Sequence, residues 1–524
     1  MVCLLCNVQC HHQGTREGQL SLQGFFGFHI QFQPRFYIFT AMTIRTVCLC
    51  MFLAGFTLFC TPLSLSAEPP EPLTGAAWDF SHGPLKVSDD ARSLVHADGT
   101  PFLWIGDTAW ELFHRLTRDE AEFYLEKRRS QGFTVVQAVA LAEFGGLTRP
   151  TPAGHLPLVD NDPTRPLVKD GPDNDYWDDV DFVVDTAAKK GLYIAMLPTW
   201  GDKVLKKWGQ GPEIFTPENA EVYGRFLGKR YGNRPNMIWI LGGDRPCERE
   251  QDFAVWRAIA RGIKAGELLA DNGFAHLMTY HPSGEDSSSR FFHGDDWLDF
   301  NMFQSGHRIK DGANDKMVAR DYNLKPTKPV LDGEPRYENH PVRGDQTKTQ
   351  WFDDFDIRQA AYWAIFSGAF GHTYGCHDIW MMYDGTPERQ CADARTPWKQ
   401  SVDLPGAWQM LILRNFLLNK GLLKDGHVPC QELIVGDNPD GTGYAAACCT
   451  KNRDKAFVYV PTGRRIVLDL SKLKPLETAR QFVLFNPRTG ETIKEVTVMK
   501  EGDFHAVAFP GKEERGNDWV IVIR

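Results

Sequence analysis

Two carboxylates in this 524-residue chain stand where apolar runs end. Asp244 follows Met237-Ile238-Trp239-Ile240-Leu241-Gly242-Gly243, and Glu334 follows Lys328-Pro329-Val330-Leu331-Asp332-Gly333. An acid and a carboxylate held on either side of an acetal carbon can perform acid–base and nucleophilic displacement, the chemistry of glycosidic bond cleavage. Glycines beside both residues permit a substrate or a second backbone to come close. A lone carboxylate at a strand end more often caps a helix or pairs with a neighbouring arginine, here Arg245 or Arg336. The company of this pair favours catalysis. Other apolar runs end at Asp107 and Trp110, Glu143, Trp200, His281, Gln304 and His307, and His372 and Tyr374. Indoles stack on the C–H faces of sugar rings, while carboxylate, amide and imidazole groups hydrogen-bond their hydroxyls. These residues are the expected substrate contacts, with a purely structural role as the alternative for each. Asp332 and Glu338 are the nearest competitors for the place of Glu334; the first shares its side of an extended strand, and the second falls beyond Pro335. No metal or other cofactor is expected, because the first apolar run lacks the closely spaced histidine pair that metal-dependent hydrolysis usually wants.

Eight apolar runs carry these residues: Phe102–Gly106, Thr134–Ala140, Leu192–Leu197, Met237–Leu241, Ala275–Tyr280, Leu298–Phe303, Lys328–Leu331 and Gly371–Tyr374. They alternate with amphipathic helical stretches, as repeated β-α units do. Thr117 caps Arg118–Gln131 with Glu120 in capping-box position, and Tyr176–Lys190 stops at Gly191. The spacing predicts a (β/α)8 TIM barrel over residues 75–422. An open doubly wound sheet would want a phosphate loop after its first strand, and Gly106-Asp107-Thr108 is no such loop. Barrels of this kind keep their active site at the carboxyl ends of the strands. Asp244 and Glu334 then follow strands four and seven, where many retaining glycosidases place acid/base and nucleophile. Residues 425–524 change character, with short β runs such as Tyr444–Cys449, Ala456–Tyr459, Phe482–Phe485 and Trp519–Ile523 between turn signals. They predict a small all-β sandwich that supports the barrel and lends it no catalytic residue.

The beginning of the chain reads differently. Met42-Thr43-Ile44-Arg45, the apolar run Val47–Leu58 and Leu65-Ser66-Ala67 have the order of a secretory signal peptide over residues 42–67. The run is shorter than the roughly 18–20 residues a membrane span needs, so no stable membrane span is expected. Export to the periplasm or the extracellular space follows, and residues 1–41 read as an extension from a start codon assigned too early. Net charge is −9, and the first 67 residues hold three Arg against one Glu, so the remainder is more acidic still. Nothing basic is left to bind nucleic acid. Cys247, Cys376, Cys391, Cys430, Cys448 and Cys449 follow the leader and form no CxxC pair. Cys376 with Cys391 is the local pair export would allow to bridge, with ordinary buried thiols as the alternative, and Cys448 and Cys449 should point to opposite faces of one strand.

Three segments resemble the apiosidase-like glycoside hydrolases of family 140: Phe102-Leu103-Trp104-Ile105-Gly106-Asp107-Thr108-Ala109-Trp110, Trp239-Ile240-Leu241-Gly242-Gly243-Asp244 and Pro329-Val330-Leu331-Asp332-Gly333-Glu334-Pro335. Phe485-Asn486-Pro487-Arg488-Thr489-Gly490 resembles the small β domain that often follows that barrel and is named for collagen binding. The resemblance runs from about Leu85 to the C-terminus. It implies Asp244 as acid/base, Glu334 as nucleophile and a carbohydrate substrate, the characterised activity being release of apiose from a galacturonic acid of the pectin rhamnogalacturonan-II. No peptidase motif accompanies the collagen name. The rival readings are a non-hydrolytic carbohydrate-binding barrel and a surface adhesion protein acting through residues 425–524.

Overall fold

Runs such as Tyr193-Ile194-Ala195-Met196-Leu197 have no polar face, and a strand of that kind is stable only when both sides are covered. The fold provides that cover. The computed structural model describes residues 69–524 apart from 272 and 477; the expected signal peptide and the extension before it lie outside the described residues. After a short hairpin, β1 (Leu85–Val87) with β2 (Leu94–His96), come β3 (Trp104–Thr108), β4 (Val135–Val139), β5 (Tyr193–Leu197), β6 (Met237–Gly242), β7 (Met278–His281), β8 (Asn301–Phe303), β9 (Val330–Asp332) and β10 (Gly371–Tyr374). Each expected run overlaps one of these eight strands, several of which start and end later than the apolar pattern does. All their pairings are parallel, in the order β10-β3-β4-β5-β6-β7 with β8 beside β9. Single backbone bonds close the ring, from Asp299 N–H to Met278 O (2.8 Å) and from Phe370 N–H to Val330 O (3.1 Å).

Side chains alternate across this wall. Trp104, Val135, Val139, Ala195, Leu197, Ile238, Ile240, Met302 and Leu331 fill the barrel, while Ile105, Val136, Ile194, Trp239 and Leu241 meet the helices outside. The helix Arg118–Ser130 begins with the expected capping box of Thr117 and Glu120, and Tyr176–Lys189 starts under the side chain of Asp175.

Beyond His427 two antiparallel sheets, of six and four strands, enclose a separate apolar core that includes Leu433, Val458, Ile466, Leu484 and Ile521. In the strand Ala446–Thr450, Cys448 faces the barrel and Cys449 the sandwich interior, the opposition expected of neighbours in a strand. All six cysteines named above are free thiols, so the bridge considered for Cys376 and Cys391 is absent. The sandwich shares the outer core of the barrel: Tyr459 stacks on Tyr362 at 4.9 Å, Phe485 meets Phe416 at 4.6 Å, and Asp518 takes two hydrogen bonds from the buried Arg358.

Candidate active site

The end of β6 is bent by force of packing. Gly242, Gly243 and Asp244 all have left-handed backbone, with φ of 91°, 129° and 51°. A Cβ on Gly242 would sit 2.2 Å from the carbonyl of His281, and one on Gly243 would sit 2.7 Å from the amide of Gly201 and 2.9 Å from the Trp200 ring. Only glycines let the chain turn here between its two neighbouring strands. The turn lifts Asp244 to the rim, where its side chain is 22 % exposed. Left-handed backbone costs a non-glycine residue about 1–3 kcal/mol, and aspartate is among the residues that tolerate it best.

Arg245 holds this carboxylate. Its Nη1 donates to Asp244 Oδ2 (3.1 Å) and its Nη2 to Glu143 Oε1 (2.6 Å), so one guanidinium spans both acids. Trp208 Nε1 approaches Asp244 Oδ2 at 3.4 Å. The Asp244 amide donates to His281 Nδ1 at 3.4 Å, which leaves the ring proton on Nε2. That Nε2 lies 3.0 Å from Glu334 Oε2, imperfectly aligned, and neither atom has another hydrogen-bond partner. Glu334 Oε1 accepts from His307 Nε2 at 3.0 Å. Trp110 stands edge-on to His281 at 5.3 Å and packs on Trp200 at 5.2 Å, while Tyr337 covers His307 at 4.4 Å. Glu334 is only 6 % exposed and lies deeper than Asp244.

Burial alone would raise the pKa of Glu334, but the N–H groups that His281 and His307 turn toward it outweigh that and hold the carboxyl below the usual range. Asp244 moves the other way, raised by burial and then by the negative charge of Glu334, against Arg245. Burial pushes Glu143 up to about 7 despite Arg245. Burial lowers the His307 pKa against the opposing pull of Glu334, which favours the neutral ring. Two neighbouring carboxyls driven apart in this way favour opposite protonation states at one pH, the condition for an acid and a nucleophile to work together.

The structure brings Trp110, Glu143, Trp200, His281 and His307 around Asp244 and Glu334. Gln304 is buried at the end of β8, with its side chain beside Gly284 and its Oε1 unpartnered. Three expected contacts belong elsewhere. Asp107 is fully buried against the helix Arg118–Ser130, taking hydrogen bonds from Arg128 (2.6 Å) and Tyr124 (2.5 Å). Its register partner Tyr374 lies on the same outer face and donates to Glu338 at 2.7 Å. His372, paired with the outward Ile105, is likewise turned from the barrel interior; neither ring nitrogen has a partner, and burial beside Arg336 brings its pKa down to about 3. Strand alternation explains the misplacement, since a residue at a strand end reaches the cleft only on the inward phase. Both competitors of Glu334 are structural as well. Asp332 is tied to Ser305 and Asn314, and Glu338 to Tyr374 and the Gly406 amide.

Sequence reasoning missed Tyr337, His340 and Trp208 as site residues. His340 stacks on His307 at 4.3 Å, and its position six residues beyond Glu334 was the available signal. Trp208 sits in a loop without periodicity, where nothing but its type could have marked it. Among the described residues no three His, Cys, Asp or Glu side chains gather as a metal site requires.

Fold and rim together define a glycoside hydrolase barrel. The family described as "Apiosidase-like, catalytic domain" matches residues 88–424, and "Putative collagen-binding domain of a collagenase" matches residues 428–524. The chain belongs to the apiosidase-like glycoside hydrolases, and it is a glycosidase. Two solved structures are similar to the chain in fold. One, called a glycoside hydrolase, is 34% identical with a TM-score of 0.75, over 86% of this chain and 98% of its own. Another, a glycoside hydrolase family 5 protein from Bacteroides vulgatus, is 32% identical with a TM-score of 0.76, over 86% of this chain and 94% of its own. No curated protein matches the chain.

Proposed function

We propose that this protein is an exported retaining glycosidase that removes sugar side chains from plant-type polysaccharides, with apiose on rhamnogalacturonan-II pectin as the leading substrate. Glu334 attacks the anomeric carbon while Asp244 gives its proton to the departing glycosidic oxygen; the C–O bond to the leaving group breaks as the glycosyl ester forms. Asp244, now ionised, takes a proton from water, whose oxygen displaces Glu334 and restores both groups. The observation that carries this reading is the opposite displacement of the two carboxyls about His281, which holds the backbone of one and faces the carboxylate of the other. Trp110, Trp200, His281 and His307 line the sugar's place, and Glu143 shares Arg245 with the acid. The family supports apiose, and the leader-like stretch at residues 42–67 supports work outside the cytoplasm.

The test is a screen of rhamnogalacturonan-II oligosaccharides and of 4-nitrophenyl furanosides and pyranosides with the wild type and Glu334→Gln. Sugar release by the wild type, abolished in the variant, is expected. Turnover that survives Glu334→Gln would refute the assignment, and release of a sugar other than apiose would keep the chemistry and replace the substrate.

A further inference from the structure

Among the described residues Trp208 is the one tryptophan left largely in solvent, 61 % exposed. The loop that carries it, between β5 and the helix Pro217–Tyr231, is closely tied. Arg245 Nε reaches Lys206 O at 3.4 Å, Gly209 N–H donates to the same carbonyl at 2.7 Å, and Gly211 N–H donates to the buried Asp202 at 2.7 Å. Gly209 lies so close beneath that a Cβ there would come within 2.3 Å of Asp202 and 2.6 Å of Arg245. The indole is thus fixed rather than adrift. The Arg245 guanidinium lies over its ring at 4.7 Å, and Nε1 is aimed at Asp244. A large apolar ring held in water beside polar groups is a binding element more often than a packing one.

Depth gives the site a direction. Trp110, Trp200 and Glu334 are buried, Asp244 is at the rim, and Trp208 is outermost. A glycosidic acid stands on the leaving-group side of the bond it protonates. The geometry points to Trp208 as the platform of the leaving-group subsite, stacking its free face on the sugar ring that departs with the glycosidic oxygen. This rests on the assignment of Asp244 as the acid. Trp208 is then a specificity residue: it favours leaving groups that are rings with an exposed C–H face, and it receives the acceptor sugar when the glycosyl-enzyme reacts in reverse.

The experiment compares two substrates of the full chain that share the glycone found by the screen above. One is an oligosaccharide with a ring leaving group, and the other is the glycosyl fluoride, whose leaving group has no ring. Trp208→Ala should lower kcat/KM for the oligosaccharide relative to the fluoride by about tenfold or more, the effect of losing one ring stack. Trp208→Phe keeps a ring without the N–H and should restore most of that ratio. An unchanged ratio in Trp208→Ala, or a loss in Trp208→Phe as large as in Trp208→Ala, would overturn the platform. Asp244→Asn, run in parallel, separates the two readings. If it cleaves the oligosaccharide as the wild type does, the acid assignment falls and the platform falls with it; if it fails there while Trp208→Ala leaves the ratio unchanged, only the platform is lost. A screen without turnover of any glycoside sinks both.

Discussion

The Nε2 of His281 stands 3.0 Å from Glu334 Oε2, while the Nδ1 of the same ring accepts the amide hydrogen of Asp244. One buried imidazole therefore carries its proton toward one carboxylate and braces the strand end that presents the other. His307, whose pKa burial lowers, gives Glu334 its second donor. The folded pKa of Glu334 lies below its ordinary value, so a nucleophile there would stay ionised as pH falls through the usual carboxylate range. That of Asp244 lies above, so the protonated form that an acid there would need is lost as pH rises.

The pH profile should reflect this. Activity is expected to persist on the acid side through roughly pH 4, where an ordinary glutamate would already be losing its charge, and to fall on the alkaline side as Asp244 ionises. Arg343 and Arg245 both lower the Asp244 pKa electrostatically. Removing the exposed Arg343 by Arg343→Gln should move the alkaline limb of kcat/KM to higher pH. A shift to lower pH would contradict Asp244 as the acid. Because burial also pushes Glu143 up to about 7, the limb is measured in Glu143→Gln too, where it should survive.

Asp107 makes the opposite kind of prediction. Its buried ion pair with Arg128 joins β3 to the helix Arg118–Ser130. Asp107→Ala leaves that guanidinium unpaired and should cost about 3–5 kcal/mol in unfolding free energy, read from the denaturant midpoint. KM of the folded fraction should stay close to wild type. A variant of wild-type stability with a raised KM would return Asp107 to the substrate.

The sandwich is fastened in a similar way. Arg358 reaches Asp518 through Nε (2.9 Å) and Nη2 (3.0 Å) in a fully buried, two-point bond. Asp518→Ala should lower stability by about 3–5 kcal/mol and leave the substrate preference of folded protein unchanged. A changed preference would give the sandwich a part in the site.

Much of this was legible in the sequence because apolar runs and caps are local signals. Thr117 with Glu120 marks a helix start whatever lies around it, and Tyr193–Leu197 reads as a buried strand from its residues alone. Position at a strand end brought out Asp244, Glu334, Trp200 and His281. It could not give phase: Asp107 and Tyr374 end their strands as visibly as His281 does, yet face outward, because the register between β3 and β10 depends on how the ring closes. Nor could it reveal Trp208, whose meaning comes from Arg245 and Asp244, 37 and 36 residues further on.

The most direct test of the central claim is azide rescue of Asp244→Asn. On an activated aryl glycoside of the cleaved sugar, this variant should still form the glycosyl-enzyme, because a good leaving group needs no acid, and should stall there because water lacks its base. Azide needs no base. Added azide should raise turnover and yield a glycosyl azide of retained configuration, while Glu334→Gln gives neither. An azide product of inverted configuration, or equal and unrescued loss in both variants, would contradict a double displacement by Glu334 and Asp244.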